Sequence, residues 1–496
     1  MIVHQVRCAV LAGLLVATVG LVPSAPALAG PSADRVQDWL TGISASLAAS
    51  GYRLSWGGMS TSLFGGDVTV RDLRGTDRQG LERLRIGAVT VEEPTIGADG
   101  SLKAVALSIG DVAVDGPYAY TIGQIDIAQP DLGAIGEQVE RYVVQTGPAN
   151  RSPWSRRLTV ERMEIRDLKG IFVSDDGPLD IRFDRFLAVG ADTARIRHLE
   201  IDGARQSATG PDGEVVTTSM AELRADDLTI APAVHDLSDD PDSARPFAAL
   251  AGIGVGRFEI REFQAESSLT GTSMVDRMWL RTRSSRPGRA GLLSFGSDGI
   301  RSQATNTPNR FAPLLQTLFP PDGEVPMRWT GDVSFDLDSG FVGYRQEMSV
   351  DDFGSFNLQV DLSGLPDLSI GEWRDVKKGD PRLAALQING ISLSLTDSGG
   401  IDRAVQAFAA DRTAPAGRLR GAVAEQIGVF LQDISPNADP RLLRWLAVVQ
   451  EFVRLGGTLA IGMTKPIPVG DVREQPVKIR DLGELATRYG LAVVRR

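Results

Sequence analysis

The stretches LRIGAVTV (residues 84–91), LSIGDVAV (107–114) and YTIGQIDI (120–127) share one pattern, and that pattern decides the fold. Each reads apolar-x-apolar-x-x-apolar-x-apolar: Leu84/Ile86/Val89/Val91, Leu107/Ile109/Val112/Val114 and Tyr120/Ile122/Ile125/Ile127. Side chains of a strand alternate faces with a period of two. The apolar pairs on either side of the x-x step would therefore face opposite sides of a flat strand. The step must carry a bulge or a bend that restores the phase. Gly87, Gly110 and Gly123 stand at that step, where freedom to adopt a positive φ is useful.

Further copies are Leu158/Val160/Met163/Ile165, Ala194/Ile196/Leu199/Ile201, Leu223/Ala225/Leu228/Ile230, Ile253/Val255/Phe258/Ile260 and Leu386/Ile388/Ile391/Leu393. Their spacing is irregular, so this is a degenerate repeat rather than a solenoid of fixed period. Strands of this kind predict a β-rich (α+β) protein, an elongated, curved antiparallel sheet of repeated strands with accessory helices and one apolar concave face. Ile86, Val89, Ile109, Val112, Ile122 and Ile125 are the candidates to line an apolar groove on that face. The alternative is that they are covered core, since an open apolar groove is the exception.

Around the repeats the texture changes. Residues 32–50 predict an amphipathic helix, with Ser32 as N-cap, a stripe of Val36, Leu40, Ile43 and Leu47, and Gly51 at the C-terminal cap. A membrane-lying helix would carry several basic residues on its polar face, and only Arg35 is there, which favours packing. Residues 131–145 repeat the helical spacing with Leu132, Ile135, Val139 and Val143. Residues 146–157 and 232–246 read as loops, and polar, Gly- and Ser-rich 281–309 as an exposed hairpin arm or a partly disordered segment. Strands resume near Met327 and run to about Ile370. Residues 381–496 form a C-terminal α/β module. Its expected elements are a strand at 386–395, helices near 401–410, 418–432 and 439–454, a strand at 457–463, a helix near 481–488 and a last strand at 491–494. The domain reading is thus 1–29, 30–380 and 381–496.

Residues 1–29 read as a cleavable signal peptide. Arg7 supplies the positive n-region, Cys8 to Val22 the apolar stretch, and Ala27-Leu28-Ala29 the small residues at the cleavage site. The apolar stretch is short for a span, which needs about 20 residues; an uncleaved anchor is the alternative. Cleavage removes Cys8, the one cysteine, so the rest of the chain has no disulfide, thiolate ligand or thiol nucleophile. A chain of this length buries a core without such staples, which fits a bacterial periplasm. The formal net charge of −11 is spread without a basic stripe. It argues against nucleic acid and against docking on anionic headgroups.

No catalytic motif stands out. His198 lies at a polar position of a repeat and His235 in an acidic loop, with no G-x-S-x-G elbow and no H-E-x-x-H. Gly252-Ile253-Gly254-Val255-Gly256 reads as the start of a strand rather than a phosphate loop. Asp236, Asp239, Asp240 and Asp242 lack the order and closing Glu of a calcium loop and read as a solvated turn. Carboxylate-pair hydrolysis leaves no spacing to recognise, so a hydrolase of that kind stays as an alternative. No cofactor and no metal are expected.

Two stretches carry a resemblance. GYRLSWGGMSTSLFGGDVTVRDLRG (51–75), continuing to LRIGAVTVEEPTI (84–96), resembles the opening of AsmA-like proteins of the bacterial envelope. ISLSLTDSGGIDRAVQAFAA (391–410) and GGTLAIGMTKPIPV (456–469) are similar to poorly characterised exported proteins of Gram-negative bacteria. The AsmA-like resemblance implies a curved β-sheet with an apolar groove and a role in envelope lipid handling. A cleavable hydrophobic segment and a modest length depart from that family and argue against a conduit bridging two membranes. No functional residue carries over. The expectation is a non-enzymatic periplasmic protein that holds or transfers a lipid-like ligand. The alternative is a structural or protein-interaction component of the envelope, with lipid or another envelope protein as partner and no stable transmembrane span once the signal is cleaved.

Overall fold

In the computed structural model, described residues are 31–135, 159–304, 327–408, 415–434, 439–468 and 482–496. Short gaps fall at 50, 63–65, 99, 117, 175–176, 193–194, 211–212, 231–241, 243–244, 269–270, 287–288, 377–379 and 464. The signal peptide reading, the helix beyond residue 135, the loop at 146–157, most of the loop at 232–246 and residues 305–309 lie outside them. The fold is β-rich: antiparallel, open, curved sheet with few helices, and helices and strands mixed at the C-terminus. The chain divides into two units. One comprises the residues up to Thr229 with Phe258–Ser268, the other Ile230–Arg257 with Leu269–Arg496.

The first unit opens with helix α1 (Pro31–Ala49) and strands β1 (Arg53–Ser55), β2 (Gly58–Thr61), β3 (Val68–Thr76) and β4 (Glu82–Glu92). A small hairpin, β5 (Thr95–Ile96) and β6 (Leu102–Lys103), precedes β7 (Ala106–Val114) and β8 (Tyr118–Ala128). Four long strands follow, β9 (Val160–Ser174), β10 (Gly177–Ala191), β11 (Arg195–Thr209) and β12 (Val215–Ile230). Each pairs antiparallel with the next, from β3 through β4, β7, β8, β9, β10 and β11 to β12. Strand β14 (Arg257–Ser267) adds beside β12.

In β3, β4, β7 and β8 the x-x step lies on one line, which continues into β9 at Asp167. The copies on β9, β11 and β12 carry theirs on a second line, through Glu161, Arg197 and Asp227. Ile86 pairs with Val112 and Ala88 with Gly110, while Gly87 and Asp111 between them do not pair. Val112 pairs with Ile122 and Gly110 with Gln124, again skipping the middle residues. Paired strands reverse their alternation at the same level, so register is kept and the apolar pairs above and below each line share a face. Gly87, Gly110 and Gly123 do not supply the positive φ. Asp72, Asp111 and Asp167 do, at φ 51°, 57° and 55°, on alternate strands. Aspartate tolerates the left-handed region better than most residues. Gly87 and Gly123 supply room. A Cβ on Gly87 would stand 2.9 Å from Asp111 Cβ, and one on Gly123 would stand 3.1 Å from Asp167 Cβ.

The apolar side is a packed core. Leu54 of β1 clusters with Ile43 and Leu47 of α1, and Trp39 packs against them. Val36 and Leu40 are buried as well. The Trp39 indole N–H donates to the Leu132 carbonyl at 2.9 Å, tying the helix to the buried turn of Leu132, Ala134 and Ile135.

The second unit contains helix α2 (Pro246–Gly252) and a two-residue strand β13 (Ile253–Gly254), then the hairpin β15 (Gly271–Arg286) and β16 (Ala290–Ala304). Strands β17 (Met327–Asp336), β18 (Phe341–Val350) and β19 (Gly354–Ser363) continue the meander. Short helix α3 (Ile370–Asp375) then leads to β20 (Gln387–Asp397). Helices α4 (Gly400–Phe408), α5 (Ala416–Ile434) and α6 (Pro440–Leu455) come next, followed by β21 (Gly457–Met463), β22 (Ile467–Pro468), α7 (Leu482–Tyr489) and β23 (Leu491–Arg495). The described part of 281–309 is therefore regular sheet: β15 and β16 pair over nearly their whole length. Their Ser and Gly residues mask the strand pattern. Strand β20 pairs with β19 as well as with β21, which joins the C-terminal elements to the strands before them. The last repeat copy carries its step as a register shift, with Asp361 opposite Gly390 and Leu362 opposite Ile388.

If Gly123 is a seat for Asp167, Gly123→Ala destabilises the protein by about 1–3 kcal/mol through overpacking. Asp167→Gly on that background recovers most of the loss, because it removes the opposing Cβ. Urea unfolding of the two single variants and the double variant measures this coupling; additive effects would refute it.

Candidate ligand-binding face

The six residues singled out in the N-terminal repeats come together on one face. Ile86 pairs with Val112 and Val112 with Ile122; Val89 pairs with Ile109 and Ile109 with Ile125. All six are at most 2% exposed. They form a closed core, so in this structure no groove opens at them.

The second unit repeats the one-sided alternation with a different outcome. In cross-strand rows, Phe335, Val342 and Leu362 are neighbours, as are Val333, Tyr344, Val360 and Ile391. The next rows are Gly331, Gln346, Leu358 and Leu393, then Trp329, Met348, Phe356 and Leu395. Strand β16 extends them with Leu293 opposite Val333, Phe295 opposite Gly331 and Ser297 opposite Trp329. The opposite face carries Arg328, Asp332, Arg345, Glu347, Asn357 and Gln359, as the alternation requires. None of the large apolar side chains of these rows is fully buried; they are partly exposed, and Leu395 is 40% exposed. One corner is closed, where Met463, Ile467 and Tyr489 of α7 pack with Ile388, Ile391 and Leu491.

Aromatic rings shape the open part. Phe295 lies over Gly331, where a Cβ would stand 2.5 Å from the ring, and meets Trp329 edge-on at a centroid distance of 5.1 Å. The Tyr344 hydroxyl donates to Gln346 Oε1 at 2.6 Å. Ser297 is 5% exposed.

Charged groups elsewhere serve the sheet. Glu164 of β9 accepts from Arg162, Arg166 and Arg185, at 2.7, 2.9 and 3.1 Å. Arg185 also reaches Glu200 and Asp202. Burial pushes the Glu164 carboxyl up, but the three guanidinium groups outweigh it and hold it below the usual carboxylate range. A general acid requires the reverse. His198 joins the same network, 2.6 Å from Asp226 and 3.2 Å from Glu200. Asp242 binds Arg374, and the Gly-rich 252–256 forms the end of α2 and the start of β13. His235, Asp236, Asp239 and Asp240 lie outside the described residues. Among the described residues, no group of three His, Cys, Asp or Glu is placed to hold a metal, and no helix is long and apolar enough to cross a membrane.

The TDSGG turn (396–400) after β20 has a structural use. Asp397 accepts from the N–H groups of Gly399 and Ile401 at 3.2 and 3.0 Å and pairs with Arg420 of α5, which also reaches Asp402. The Gly400 N–H donates to the Phe353 carbonyl at 2.9 Å, and a Cβ on Gly400 would stand 2.6 Å from that oxygen. Burial pushes the Asp397 carboxyl up; the Ile401 N–H, the Arg420 guanidinium and the Gly399 N–H together hold it below its ordinary value.

A family model described as an uncharacterized protein matches residues 347–489, from the end of β18 to the end of α7. No curated protein matches the chain.

Asp397→Asn should cost about 2–3 kcal/mol at neutral pH, by removing the buried one of the two carboxylates that face Arg420. A carboxyl whose folded pKa is depressed stabilises the protein above its unfolded pKa, near 4. That contribution is lost as pH falls through the lower folded value. The gap between wild type and Asp397→Asn in urea midpoints should therefore close below about pH 4; a gap constant across pH would contradict the assignment.

Proposed function

We propose that this chain is an exported, non-enzymatic protein of the bacterial envelope that holds or transfers a lipid-like apolar ligand, seated on the open apolar face of β16–β20. The observation that carries this reading is a contrast. Two sheet faces of the same chain share the same alternation; one is packed to 2% exposure or less at the six repeat residues, and the other leaves Trp329, Phe356, Leu358 and Leu395 partly in solvent. A wide apolar surface of this kind on a folded protein marks a binding site. Placement in the periplasm is supported by the signal-like residues 1–29 and by the absence of cysteine after Cys8. The resemblance to AsmA-like proteins agrees with a lipid ligand. A second reading, an interaction protein without a small ligand, is favoured by Val423, Val429 and Phe430, which α5 exposes to solvent.

Native mass spectrometry of the protein purified from a bacterial periplasm tests the reading. A second sample is first incubated with vesicles of phosphatidylethanolamine and phosphatidylglycerol. The expected result is a bound apolar molecule that Leu395→Asp abolishes while leaving the urea midpoint close to wild type. Ile109→Asp, by contrast, should unfold the protein, because it buries a charge in the closed core. A protein free of lipid in both samples would overturn the lipid reading and leave α5 as the surface to test.

A further inference from the structure

The open face is not uniformly apolar. Ser297 of β16 and Trp329 of β17 stand directly opposite each other in register, which places their Cβ atoms about 5 Å apart on this face. The Ser297 Oγ and the Trp329 Nε1 are both buried, and neither has a hydrogen-bond partner among the described residues. Buried polar groups are almost always satisfied, so two orphans on register partners call for an acceptor. Indole N–H is a donor only, and a serine hydroxyl can turn to donate. Gln346, one row away on β18, has its Oε1 taken by Tyr344 and is left with amide N–H groups to offer. Donors thus cluster at one end of an apolar field.

From this we infer, on the footing of the apolar-ligand reading above, that the ligand is an acyl ester whose carbonyl oxygen is received by Ser297 Oγ and Trp329 Nε1. Its hydrocarbon chain lies along the rows of Phe295, Phe356, Leu358 and Val360. The charge pattern selects the ester over the free acid. Between Met327 and Leu395 the residues alternating onto this face are uncharged, and the arginines of β17 and β18 are on the other side. A carboxylate brought there would lose its hydration without a cation to replace it. A neutral carbonyl accepts two hydrogen bonds and needs no counter-charge. The carbonyl takes the place of the atoms that now close over the two donors, so the acyl chain and the oxygen enter together.

The test measures displacement of a neutral fluorescent apolar dye from the full chain by hexadecane, methyl palmitate and palmitate. Two hydrogen bonds to one oxygen should make methyl palmitate about 10-fold stronger than hexadecane, with palmitate weaker than the ester. Trp329→Phe removes the N–H and keeps an aromatic ring, Ser297→Ala removes the hydroxyl, and each should cut the ester-to-hexadecane ratio severalfold. In isotope-edited infrared spectra, the bound ester carbonyl should absorb at lower frequency in the wild type than in either variant. If hexadecane and methyl palmitate compete equally and both variants behave as wild type, the acyl-ester assignment is overturned while the apolar seat stands. Palmitate binding more tightly than the ester would also overturn it. If no probe displaces the dye, the apolar-ligand reading itself fails.

Discussion

A strand that must show apolar side chains to one side along its whole length cannot pass through a two-residue step without reversing its pleat. The first unit depends on meeting that constraint on every strand at once. A reversal on a single strand would turn half of its apolar residues toward water, at about 1.5–3 kcal/mol for each large side chain. A reversal shared across the sheet at one level costs only the local backbone irregularity. The structure places it on a line through Asp72, Gly87, Asp111, Gly123 and Asp167, with left-handed aspartates and space-giving glycines on alternating strands. The apolar rows on both sides of the line can then pack as one core under α1.

The second unit uses plain alternation over β17, β18 and β19 and has no such line there. Its apolar rows run straight from Phe335 to Trp329 and across to Leu395. Polar residues occupy the other face, so the sheet is solvated on one side and apolar on the other. Antiparallel sheets normally hide the apolar side. Here helix α7 closes one corner and the rest stays partly open, with Phe295 and Trp329 standing edge to face toward one end of it. The TDSGG turn holds β20 at the edge of this face through Asp397 and Arg420, which ties the strand to the helices behind it. A rigid edge is what a binding face needs if its apolar surface is not to collapse.

Much of this was legible in the sequence. The repeat gave the antiparallel strands, the shared face and the need for a phase-restoring step. The helix at 31–49 followed from spacing and caps, and those at 400–408, 416–434 and 440–455 lie where helices were expected. Gly87 and Gly123 were read for φ, whereas their use is close approach; sequence alone does not show that the residue after Gly110, or the aspartate across from Gly123, takes the left-handed conformation. The hairpin β15–β16 was masked because Gly291, Gly296 and Ser297 interrupt its apolar pattern, although Gly291 is where the Phe335 ring rests. Alternation reports which side chains share a face and says nothing of whether another layer covers it. For that reason Ile86 to Ile125 and Phe356 to Leu395 look alike as sequence and differ in exposure.

Cysteine accessibility tests that difference most directly. The chain lacks cysteine after Cys8, so single thiols at Leu358→Cys and Ile109→Cys, on a Cys8→Ser background, report the two faces separately. The account expects the thiol at 358 to react with a small maleimide under native conditions far faster than the protein unfolds. It expects the thiol at 109 to react only at the rate of unfolding. Equal protection at the two positions would contradict the claim that the second sheet keeps an open apolar face.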